Sequence, residues 1–137
     1  MKRFILILLF FSFFISSYAG GEQINAVINA IAKVESNNNP KARNGIHVGL
    51  LQISPGCLRD CNNILKDKGD TLRFKLSDRY DPEKSKQMFI LYQEKYNPDF
   101  DIDKAIRIWN GGPSYSVSKT NRYLSKVKSH LKDDEEC

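Results

Sequence analysis

The chain has 137 residues, and 21 Lys and Arg against 16 Asp and Glu give a formal charge of +5. That length accommodates one compact domain and is short for two. The basic residues are scattered without interleaved aromatic platforms, so nucleic acid is not an expected partner, and two histidines without partners at zinc-ligand spacing call for no metal or other cofactor.

The first element is an export signal. Lys2 and Arg3 precede an apolar run from Phe4 to Ile15, and Ser17 and Ala19 place small residues at positions −3 and −1 of a cleavage site before Gly20. The run is shorter than the ~20 residues a membrane-spanning helix needs, so cleavage is expected in preference to anchoring. Residues 1–19 are thus read as a signal peptide, residues 20–132 as a single domain and residues 133–137 as a frayed tail. Loss of Lys2 and Arg3 lowers the formal charge from +5 to +3. The expected location is periplasmic or extracellular, with no membrane attachment after cleavage, and the domain is expected to be a monomer.

The remainder reads as a string of amphipathic helices. Ile24, Val27, Ile28 and Ile31 form one stripe of a first helix from about Gln23 to Glu35, which Asn37-Asn38-Asn39-Pro40 ends. A loop follows through Gly45, and a small hairpin near Val48 to Ile53 is the one β-element expected. Ser54-Pro55 opens a helix with Leu58, Cys61 and Leu65 inward, and Asp81-Pro82 opens another with Ser85, Met88, Phe89, Tyr92 and Tyr96 on one face. Pro98 closes the latter. A short helix from about Asp103 to Trp109 stops at Gly111-Gly112-Pro113, and Thr120 is placed to cap a last helix bearing Tyr123, Leu124, Val127 and Leu131. The fold class is therefore all-α, a single domain of about five helices.

Glu35 stands out in this pattern. It lies eleven, seven and four positions after Ile24, Ile28 and Ile31, on the apolar stripe of its helix. A carboxylate there needs a partner or a use. Burial and the negative end of the helix both disfavour its ionisation, which raises its pKa and suits it to protonating a glycosidic oxygen. The bland alternative is a terminal Glu turned to solvent. Cys57 and Cys61 allow a disulfide in an oxidising compartment, although i,i+4 spacing on a helix suits disulfide geometry poorly. The competing reading is two small apolar residues on a helical face, and Cys137 has no assigned partner. Asp99, Asp101 and Asp103 alternate like a calcium loop, but Lys104 and Asn110 occupy its sixth and twelfth positions, so capping and solvation are the better account. A cysteine nucleophile with His47 or His130 lacks support from spacing.

Glu35-Ser36-Asn37, then Asn39-Pro40 and Ala42, then Gly49-Leu50-Leu51-Gln52-Ile53 resemble motifs of the lytic transglycosylases, of the SLT type within the lysozyme-like superfamily. Trp109-Asn110-Gly111-Gly112 resembles that family's aromatic-Asn-x-Gly motif. Tyr123, within Arg122-Tyr123-Leu124-Ser125-Lys126-Val127, resembles its closing-helix tyrosine. The four elements occur in the family's order and span most of the chain after the leader.

The resemblance implies a lysozyme-like fold around a cleft that binds peptidoglycan glycan strands. It implies Glu35 as the single acid/base, Ser36 orienting it or contacting the scissile region, and Gln52 contacting sugar. Trp109 and Asn110 would line the opposite wall, and Tyr123 would close the site behind Glu35. The implied reaction cleaves the β-1,4 bond between N-acetylmuramic acid and N-acetylglucosamine with formation of a 1,6-anhydro ring, without water or a second carboxylate. Trp109 stands where a tyrosine is usual, and His47-Val48 precede Gly49 where small residues are common. Alternatives are a goose-type-like lysozyme, which needs a second carboxylate from among Asp60, Asp70, Asp78, Asp81 and Glu83, a non-catalytic wall-binding module, or a structural or inhibitory exported helical domain. Asp81 reads as a helix cap and the other four as solvated surface.

Overall fold

A computed structural model describes residues 20–135, with side chains to Leu131; the signal-peptide reading and Cys137 fall outside them. Five α-helices dominate: α1 (20–36), α2 (Pro55–Asp67), α3 (Pro82–Tyr96), α4 (Ile102–Gly111) and α5 (Val117–Glu135). A 3-10 helix, Leu76–Tyr80, leads into α3. The β-structure is a two-stranded antiparallel hairpin, β1 (Arg43–Asn44) and β2 (His47–Val48), extended by a single bridge between Val48 and Ile53. The architecture is all-α, as the helical periodicities require. Among the described residues no helix is long and apolar enough to cross a membrane.

The core is the sum of the apolar stripes. Val27, Ile28 and Ile31 of α1 meet Met88 and Phe89 of α3, Ala105, Ile106 and Ile108 of α4 and Val127 of α5, all at 0–1% exposure. Burying each of the larger side chains contributes about 1.5–3 kcal/mol. Leu58, Cys61, Ile64 and Leu65 of α2 complete the cluster, and α2 packs on α3 while α4 packs on α5.

Helix starts follow their caps. Ser54 accepts from the Cys57 amide at 3.1 Å, Asp81 from that of Lys84 at 3.0 Å and Asp101 from that of Lys104 at 2.7 Å. Each satisfies an amide the first turn leaves unpaired. Asp101 is thus a cap. α1 ends where Asn37 and Asn38 turn left-handed, at φ 53° and 62°.

Several expectations are corrected. The hairpin lies earlier, at Arg43–Val48, and what was expected of Val48 to Ile53 is a tight loop closed by one bridge. Thr120 is not a cap, because α5 starts three residues before it. Its buried hydroxyl donates to the Ser116 carbonyl and accepts from Arg107. The backbone of α5 stays helical through Glu135, into the expected tail.

The Cys57–Cys61 disulfide is not formed. Both are free cysteines one turn apart on α2, with Cys61 buried and donating to the Met88 carbonyl at 3.6 Å. The Cys57 thiol first and burial second push the Cys61 thiol above its ordinary range, and its place in the core makes it a packing group.

The loop from Gly49 to Ile53 is drawn tightly against the 3-10 helix. Gly49 has φ 82°, and a Cβ there would stand 1.9 Å from the Arg79 carbonyl oxygen. Gly49→Ala is therefore expected to destabilise the fold by about 3 kcal/mol, combining left-handed strain with overpacking. Chemical denaturation checks this, and a loss under about 0.5 kcal/mol, the scale of a neutral surface substitution, would contradict it.

Candidate active site

A cleft of about 530 Å³ opens beside the last turn of α1. Glu35 lines it from α1, His47 and Gln52 from the hairpin and the loop after it, and Trp109 and Asn110 from α4. Gly56, Cys57 and Asp60 bring in α2, and Tyr92 brings in α3. Four of the six candidate residues therefore share one cavity. Ser36 and Tyr123 do not line it, and each acts on it from behind.

Glu35 is half-buried, and its Oε1 accepts the phenol proton of Tyr123 at 2.6 Å. Burial lifts its carboxyl above the ordinary value of 4.5, while the Tyr123 hydrogen bond and then the His47 and Lys126 charges pull it part of the way back. The Tyr123 phenol is itself pushed well up, by burial and then by the Glu35 charge, so it remains a donor. The periodicity reading of Glu35 as a carboxyl on the core-facing stripe holds.

The neighbouring motif residues hold the loop. Ser36 Oγ donates to the Leu50 carbonyl at 2.8 Å and makes no bond to Glu35. Gln52 sits in the left-handed region at φ 52° and turns its amide inward, donating to the Gly49 and Ala42 carbonyls at 2.9 and 3.3 Å. Trp109 Nε1 donates to the Leu51 carbonyl at 3.1 Å, and its ring packs on Phe89 and Tyr92 at centroid distances of 5.0 and 6.1 Å. Trp109 is thus both cleft wall and core edge. Asn110 is exposed at the rim, next to the turn at Gly112, whose φ of 79° ends α4.

One contributor escaped the sequence reading, and another was named there only as a candidate second carboxylate. Arg79 is buried, and its Nη1 donates to the Ile46 and Ile53 carbonyls, both at 3.0 Å. It lies in a segment without periodicity, so no local signal marked it. Asp60, expected as solvated surface, faces the cleft with its carboxylate held by Tyr96. Its spacing of three from Cys57 on a well-capped helix would have put both on one face.

Two consequences can be measured. A carboxyl whose folded pKa is raised stabilises the fold in acid relative to its ionised state. That contribution is complete below the unfolded value near 4.5 and is lost as pH rises through the folded value. Glu35→Gln, which keeps an acceptor for Tyr123, is expected to be more stable than wild type at pH 8, with the difference vanishing below pH about 4. Denaturation midpoints at the two pH values test the sign, and an equal difference at both would contradict it. Tyr123→Phe removes a donor that favours the ionised carboxyl, so the Glu35 pKa is expected to rise further. A carboxyl-carbon NMR titration reads this directly, and an unchanged or lower midpoint would rule it out.

A family model described as the transglycosylase SLT domain matches residues 13–133. No curated protein and no solved structure matches the chain. The match spans nearly the whole sequence and agrees with the all-helical, lysozyme-like architecture and with lytic transglycosylase-type activity related to peptidoglycan. The chain belongs to the transglycosylase SLT domain family.

Proposed function

We propose that this protein cleaves the β-1,4 bond between N-acetylmuramic acid and N-acetylglucosamine, leaving a 1,6-anhydro-muramic end, with Glu35 as its single acid/base. The observation that carries the reading is a carboxyl group in the cleft whose pKa is raised by burial and whose Oε1 accepts from Tyr123 at 2.6 Å. Protonated Glu35 gives its proton to the bridging oxygen as the bond to muramic C1 breaks, and the bonding electrons leave with that oxygen. The oxocarbenium-like C1 is stabilised by the substrate's own acetamido oxygen. Glu35, now ionised and held by Tyr123, takes the proton of the 6-hydroxyl while O6 bonds to C1. No water is consumed.

The supporting roles follow from the hydrogen bonds. Gln52 commits its amide nitrogen to the loop, which leaves its carbonyl oxygen as the group to meet sugar donors. Trp109 and Asn110 offer an apolar wall and a polar rim to the ring. Ser36 acts indirectly, by fixing the loop that carries Gln52. Removal of a leader at residues 1–19 would deliver the domain, as a monomer, to the periplasmic or extracellular side, where its substrate lies.

The Asp60 carboxylate in the same cleft makes hydrolysis the second reading, since a lysozyme-type reaction needs a second carboxyl group. Digestion of purified peptidoglycan by wild type and Glu35→Gln, followed by mass analysis, separates the two. Anhydro-muramic ends from wild type alone, with at least a 100-fold loss in the variant, are expected for an essential acid/base. Reducing ends would establish hydrolysis, and equal products from both proteins would remove Glu35 from the chemistry. No products from either, where a control enzyme digests the same wall, would favour a binding module.

A further inference from the structure

Asp60 is not used by the proposed reaction, yet it is built into the cleft. It lies in the second turn of α2, three residues past Cys57, and both line the cavity. Its Oδ2 accepts the Tyr96 phenol proton at 2.9 Å, so α3 fixes it from behind. The ion pairs among the described residues lie elsewhere, at Lys68–Glu94, Lys84–Asp78, Lys86–Glu83 and Lys128–Asp103. Neither Lys nor Arg lines the cleft. Helix capping does not account for it, because Ser54 caps α2.

A carboxylate has room for about four hydrogen bonds, and this one has a single protein donor. Half-buried at the cleft wall, it keeps unused acceptor capacity that a ligand donor in the cavity can meet. Its charge reaches its surroundings: after burial, the Asp60 hydrogen bond and charge are what push the Tyr96 phenol up. The donors in a glycan strand are hydroxyls, the acetamido N–H and, where an acetyl group is missing, a 2-ammonium. Stem-peptide carboxylates would be repelled.

Building on the reading of this cleft as a glycan site, we propose that Asp60 is a substrate-binding carboxylate that accepts hydrogen bonds from a donor group of the sugar, either a hydroxyl or the nitrogen at C2, as acetamido N–H or as ammonium. The α2 wall thereby sets which sugar face is seated, a task separate from proton transfer at Glu35.

The test is calorimetric titration of Glu35→Gln protein, in which binding is read without cleavage. The probes are the β-1,4 tetramer of N-acetylglucosamine and its fully de-N-acetylated counterpart, each with and without Asp60→Asn or Tyr96→Phe. Asn keeps a neutral acceptor for Tyr96, so the α2–α3 tie is weakened less than in Tyr96→Phe. Asp60→Asn is expected to weaken binding about tenfold, the scale of a hydrogen bond to a charged group. An equal loss for both tetramers identifies hydroxyls as the donors, a loss confined to the de-N-acetylated one identifies the ammonium, and a loss confined to the acetylated one identifies the acetamido N–H. Tyr96→Phe keeps the carboxylate and is expected to cost less than Asp60→Asn. Equal losses in the two variants would assign Asp60 to the helix tie alone and overturn the proposal, as would unchanged affinity in Asp60→Asn. If the Glu35→Gln protein itself binds neither tetramer nor peptidoglycan strands, the glycan-cleft reading falls and this proposal with it.

Discussion

An irregular loop buried between helices must have its carbonyl groups satisfied, and the structure around the cleft is organised by that requirement. Gly49, Leu51 and Ile53 are buried, yet the segment has neither a strand partner along its length nor helical bonds of its own. Side chains from separate elements supply the donors. Ser36 at the end of α1 bonds Leu50, Trp109 of α4 bonds Leu51, Arg79 of the 3-10 helix bonds Ile53, and Gln52 folds back to bond Gly49. An unpaired buried carbonyl costs about 1–3 kcal/mol; the Ser36 and Trp109 bonds avert that at Leu50 and Leu51, while Gly49 and Ile53 also accept the backbone amides of Gln52 and Val48. Among the described residues no buried side-chain polar atom is left without a partner.

This explains why motif residues scattered through the sequence converge. Glu35 and Ser36 are adjacent, but they point to different tasks: one faces the cavity, and the other ties α1 to the loop that forms the cavity's edge. Trp109 ties α4 to the next residue of that loop while its ring seals the core against Phe89 and Tyr92. Gly49 is required because the loop passes against the Arg79 carbonyl, and Arg79 in turn reaches back to Ile46 in the hairpin turn. Helix ends, loop and hairpin are thus one mechanical unit. A change in any of them alters the position of Gln52 relative to Glu35.

The helices were legible in the sequence because each carries its own signal: the isoleucine stripe of α1, the Ser54-Pro55 and Asp81-Pro82 starts, and the glycines after Trp109. Glu35 was legible for the same reason, as a polar residue on an apolar period. What depends on long-range contact was not. Arg79 has no periodic neighbourhood, and its burial results from carbonyls 26 and 33 residues away. Asp60 read as surface, because nothing local announces that α3 presents Tyr96 behind it. Ser36 and Gln52 were identified by the family resemblance, but their hydrogen bonds run to the backbone, a distinction no motif encodes. The hairpin was misplaced because strands of two residues carry too little alternation to set a register. The start of α5 was set too late, since Thr120 suits a cap by residue type but is consumed by the Arg107 contact.

On the proposed reaction, Glu35 must meet two opposed demands, and its environment divides them between different physical terms. The first step needs a proton present, and partial burial among apolar neighbours of α1 supplies that by disfavouring the charged form. The second step needs the charged form to persist long enough to accept a proton from the sugar. There the Tyr123 bond, with the more distant His47 and Lys126 charges, works in the opposite direction. Burial acts on the ionised state regardless of orientation, whereas a hydrogen bond acts along one lone pair and leaves Oε2 as the oxygen without a protein donor. The tyrosine thus selects which oxygen carries the exchangeable proton as well as moderating the pKa. A residue 88 positions away acts on both, so on this reading the closing helix contributes to the site although none of its described side chains lines the cleft.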